Sequence, residues 1–237
     1  MHWMALKMLT GDRGKYLGIV LGIAFSSLLI AQQASIFCGV MSLTVVTISA
    51  VDDAASWVMD SAVEYLDAPR PLSDNDVYRV RIVDGVQWAV RMYKSRSRGR
   101  LFNGEFQQIN LIGLDDPYLV GAPDEMLKGN IEDLWQPDAV IMDDRGYRIL
   151  WPGEPLETGK VFEMNDHRAV LVGICRVSQS FETFPVVYTT YSRAVQFNPP
   201  ERKVLTFILA QPQADRDAAQ VCQNIERQTG LKASTRE

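Results

Sequence analysis

From Tyr16 to Val51 the chain carries no Asp, Glu, Lys or Arg, and the stretch opens with its most apolar part, YLGIVLGIAFSSLLIA. A helix of about 20 apolar residues crosses a bilayer, so this segment is long enough to span one and continue beyond it. Lys7, Arg13 and Lys15 stand upstream against a single Asp12, while the first charges downstream are Asp52 and Asp53. The excess of basic residues before the span places the N-terminus in the cytoplasm. A cleaved leader would give a similar start, but Ala31-Gln32-Gln33-Ala34 lacks A-x-A spacing and Phe37 precedes Cys38 where a lipidation signal has a small residue. The reading is therefore a transmembrane helix over 16–37 and a stalk over 38–53. The stalk, GVMSLTVVTISAV, suits either a continuing helix or an extended chain.

Gly14, Gly18, Gly22 and Ser26 recur every fourth residue. On a helix they form one face of small side chains, the kind of face on which a second membrane helix packs closely. They are the candidate helix-packing residues.

The remaining residues, 54–237, carry enough apolar content for one substantial core. Asp and Glu number 29 against 24 Lys and Arg, which removes the electrostatic basis for nucleic-acid binding. The three cysteines, Cys38, Cys175 and Cys222, show no C-x-x-C or Cys/His spacing, so no zinc site is expected. The burial habit of cysteine favours two buried thiols at Cys175 and Cys222 over a disulfide between them.

Apolar runs at 54–59, 86–93, 107–114, 138–143, 168–177, 184–191 and 204–211 read as strands. The stretch 73–83 opens on Ser73 and sets Val77, Val80 and Val83 on one helical face. The segment 215–230 places Ala218, Val221, Cys222 and Ile225 at helical spacing and stops at Gly230. The order gives an α+β domain with split βαβ elements and, over about 117–165, an inserted subdomain punctuated by Pro and Gly.

Catalytic patterns are scarce. The nearest phosphate-loop decoy, Gly153 to Gly159-Lys160, has wrong spacing, and neither G-x-S-x-G nor H-E-x-x-H occurs. A Ser-His-Asp site would have to use His167, which sits in the turn NDHR and reads as a solvated hairpin residue. The pairs Asp52-Asp53, Asp115-Asp116 and Asp143-Asp144 lack the alternating oxygens of an EF-hand loop and suit strand ends and turns. The basic run KSRSRGR (94–100) reads as a solvated connection between strands. No cofactor or metal is expected, and no enzymatic activity in this chain.

Three blocks carry a family resemblance: ASWVMDSAVEYLDAPRPLSDNDVYRVRIVDGVQWAV (55–90), QQINLIGLDD (107–116) and ALKMLTGDRGKYLGIVLGIAF near the N-terminus. The first two resemble the MacB-like periplasmic core domain, and the third the cytoplasmic elbow (1–15) and first transmembrane helix, of MacB/DevC-type ABC transporter permeases. That resemblance implies a permease subunit of an export complex, with further spanning helices beyond LKASTRE absent here as a natural truncation, a split frame or a shortened chain. It implies as partners a separate ABC ATPase subunit, a periplasmic adaptor, an outer-membrane channel and a second permease copy in a homodimer. The location implied is the inner membrane, with the main domain periplasmic. The alternative is a single-pass anchored periplasmic domain that only binds or scaffolds.

Overall fold

The computed structural model describes residues 3–4, 11–49, 54–64, 69–101, 104–177, 184–198 and 205–235. The chain divides into two compact units, 1–45 and 46–237.

The first unit is dominated by one helix, α1 (Arg13–Ser49). It continues through 38–49, so the stalk residues described there are helical. Side chains from Gly11 to Met41 are almost all exposed, including Leu17, Ile23, Phe25, Leu28 and Ile30. The stretch 13–41 is long and apolar enough to cross a membrane.

The second unit is built on a ten-stranded sheet. Its strands are β1 (Ser56–Met59), β2 (Val86–Arg100), β3 (Phe106–Leu114), β4 (Glu125–Lys128) and β5 (Ala139–Asp143). They continue with β6 (Val161–Met164), β7 (His167–Arg176), β8 (Val186–Thr190), β9 (Phe207–Pro212) and β10 (Lys232–Thr235). The helices are α2 (Asp76–Arg81), α3 (Asp144–Leu150), α4 (Tyr191–Gln196) and α5 (Ala218–Thr229), with a 3-10 turn at Ile131–Trp135.

One half has the order β10-β1-β9-β2, all antiparallel. Because β1 and β2 flank β9, and β9 and β10 flank β1, the chain β1-α2-β2 and the chain β9-α5-β10 are two interlocked split βαβ units. Alternation sorts the side chains. Val58, Ala89, Ile208 and Ala210 face the helix residues Val77, Val80, Val221 and Ile225 in one core, whereas Trp57, Met59, Val90, Met92, Phe207 and Leu209 form a second cluster on the other face. The helix α5 ends as its sequence dictates, with Gly230 in the left-handed conformation at φ 73°.

Everything between β2 and β9 is an insertion, within which the expected 117–165 segment lies. Here β3 pairs with β2 and β8, β5 with β8 and β7, and β6 joins β7 to Gly99–Arg100 at the end of β2. The strands β2-β3-β8-β5-β7-β6 therefore close into a ring, with Ile109, Leu111, Val140, Met142, Met164, Leu171 and Val187 in its core. The strand β4 pairs with the far end of β7.

The run KSRSRGR departs from its expectation. It is the second half of β2, not a connection. Arg96, Arg98 and Arg100 point to solvent while Ser97 and Gly99 face inward, where a Cβ at Gly99 would stand 2.3 Å from Ile109 Cδ1. Small residues at the alternate positions are what lets a strand so rich in arginine take part in the ring.

Candidate functional site

The helix-packing residues Gly14, Gly18, Gly22 and Ser26 all lie on α1 and all are exposed. A Cβ added at Gly18 or Gly22 meets nothing within 4 Å, and Ser26 Oγ donates back to Gly22 O at 2.9 Å. The stripe is open backbone surface, as close helix approach requires.

In the second unit the chemistry gathers at one corner, where the parallel strands β3 and β8 end. Asp115 and Asp116 follow β3, and α4 follows β8. Gly113 lets the helix sit close, since a Cβ there would come within 2.6 Å of Ala194 Cβ. Asp116 accepts from Ser192 N at 3.1 Å and from Ser192 Oγ at 3.0 Å, which ties the corner to the first turn of α4. Its carbonyl accepts from Trp135 Nε1 at 2.9 Å. Asp115 is buried, and its Oδ2 meets no hydrogen-bond donor among the described residues. Burial raises its pKa above the usual carboxylate value, and the charge of Asp116 adds to this. The backbone N–H of Tyr118 and the cations Arg81 and Arg91 oppose the rise.

A cavity of about 250 Å³ opens between α2 (Val77, Tyr78, Arg81), Arg91 and the Asp115–Pro117 corner. Arg81 Nε donates to Ala89 O at 2.7 Å, and its guanidinium lies 5.8 Å from the centre of the Tyr78 ring. The Arg91 guanidinium lies 5.7 Å from the Tyr191 ring centre. A second cavity, about 340 Å³, lies between the end of β2 and Trp151 and Phe162, with the Arg100–Glu163 ion pair (3.2 Å) at its edge.

The other sequence candidates fall elsewhere. His167 is exposed at the start of β7 with its ring 6.1 Å from that of Phe197, and no carboxylate of a described residue pairs with it. It follows a turn whose residues Asn165 and Asp166 both have positive φ, the geometry of a tight hairpin. Lys160, in the phosphate-loop decoy, is engaged by Glu154 and lies 5.5 Å from the Trp151 ring centre. Asp143 caps α3, while Asp52-Asp53 lie outside the described residues. Cys175 and Cys222 are separate buried thiols, and burial raises the pKa of both. Among the described residues no group of three or more His, Cys, Asp or Glu converges as metal ligands. The Asp115 cavity was not legible in sequence: its lining comes from residues 77–91 and 115–117, which β2 and β3 bring together.

No protein-family model matches the chain, and no curated protein matches it. Solved structures do. The domain is similar to the extracellular domain of the noncanonic ABC-type transporter YknZ from Gram-positive bacteria, at 16% identity and a TM-score of 0.53. That match covers 77% of this chain and 98% of the other. It is similar also to the periplasmic region of MacB from Actinobacillus actinomycetemcomitans, at 14% identity and a TM-score of 0.56, over 79% of this chain and 91% of that one. The fold is that of a MacB-like periplasmic domain. In these terms the split βαβ pair, with the ring inserted between β2 and β9, is how this sequence builds the MacB-like domain. The Asp115 cavity lies on the seam between the two parts, since Arg91 belongs to the stretch of β2 paired with β9 and Asp115 directly follows β3.

Proposed function

We propose that this chain is the permease subunit, represented by its first spanning helix and extracytoplasmic domain, of an ABC-type export complex of DevC character. The observation that carries the reading is one helix of membrane-spanning length and composition preceding a domain of MacB-like fold. In this reading the chain hydrolyses nothing itself. A separate ATPase subunit binds and hydrolyses ATP in the cytoplasm, and the permease converts that into movement outside.

The physical requirement is a stiff transmitter. At 1.5 Å per residue α1 is roughly 55 Å long, against a hydrocarbon core of about 30 Å. It therefore has helix to spare beyond the membrane, so that rotation or sliding at the cytoplasmic end displaces what it carries. Its open glycine face would receive another spanning helix, and two copies would form the working permease. A periplasmic adaptor and an outer-membrane channel would complete the export path, with a lipid, glycolipid or peptide as cargo. The N-terminus would be cytoplasmic and the domain periplasmic.

The test is affinity purification of the tagged chain from the membranes of its own host in mild detergent, followed by mass spectrometry. Co-purification of an ABC ATPase and an adaptor is expected. Recovery of envelope proteins without any ATPase would overturn the proposal in favour of an anchored scaffold domain.

A further inference from the structure

We draw no further inference here: the strongest candidate, the exposed aromatic patch of Tyr78, Tyr118 and Trp135 around the Asp115–Pro117 corner, is an apolar surface, and nothing in the structure shows what covers it.

Discussion

Asp143 Oδ1 accepts the backbone N–H of Val186 at 2.8 Å, locking the start of α3 to the start of β8, the strand beside β5 in the ring. The same oxygen accepts from Gly146 N at 3.2 Å and so caps the helix. The carboxyl is nevertheless deeply buried. Desolvation pushes its pKa up to about 6, assisted by Asp144 and resisted by the two backbone bonds and by Arg145.

A folded-state pKa above the unfolded value of 3.8 means that the native protein holds the proton more tightly between those values. This group's contribution to stability is therefore complete below pH 3.8 and is lost as pH rises through about 6. Asp143→Asn keeps an oxygen for both N–H groups and removes the charge. Relative to wild type it is expected to gain stability as pH rises through that window, by up to about 3 kcal/mol at pH 7.5. Urea unfolding at several pH values checks this; equal pH profiles for the two proteins would refute it.

The seat of α4 against β3 rests on Gly113. A Cβ at that position would lie 2.6 Å from Ala194 Cβ and 3.0 Å from Tyr93 Cβ. Gly113→Ala is expected to cost about 1–3 kcal/mol in unfolding free energy. Adding Ala194→Gly should recover part of the loss, and the coupling between the two sites in a double-mutant cycle measures the contact.

Asn165 combines a left-handed backbone, φ 48°, with a side chain that donates to Ser97 Oγ and Phe197 O, both at 2.8 Å, and accepts from Arg98 N at 3.3 Å. Asn165→Gly preserves the backbone and loses the bonds, at an expected cost of about 1–3 kcal/mol. Asn165→Ala loses both and should be worse by about 1 kcal/mol. Equal stability of the two variants would show that the backbone conformation carries no cost.

On α1, Gly18→Leu and Gly22→Leu fill the open face, where a Cβ at either position meets nothing within 4 Å. Helix association in a membrane two-hybrid reporter is expected to fall by about tenfold for the pair, while the thermal unfolding of the domain stays unchanged. Undiminished association would remove the small-residue face from the account.

Much of this architecture was legible in the sequence because each feature obeys one period or one composition. Val77, Val80 and Val83 are buried at helical spacing, as are Val221, Cys222 and Ile225, and the seven apolar runs all contribute to strands. The short elements were not legible. Strands β4 and β10 are only partly buried and so lack a strong alternation, and α3 carries Gly146 because Asp143 and Pro185 leave no room for a side chain. The β2 extension was missed because its arginines dominate the composition and hide the small inward residues Ser97 and Gly99. The Asp115 cavity depends on which strands become neighbours, information that no local pattern carries.

The central claim is that ATP turnover inside the cell moves this domain outside it. The direct measurement is a pulsed electron-electron distance between spin labels on two copies in the purified complex, attached at Ala214→Cys in a Cys38→Ser background. Position 214 is exposed, and Cys175 and Cys222 are buried. The distance distribution is expected to shift between the nucleotide-free and the vanadate-trapped ATP states. An identical distribution in both states, in a complex whose ATPase is turning over, would contradict the account.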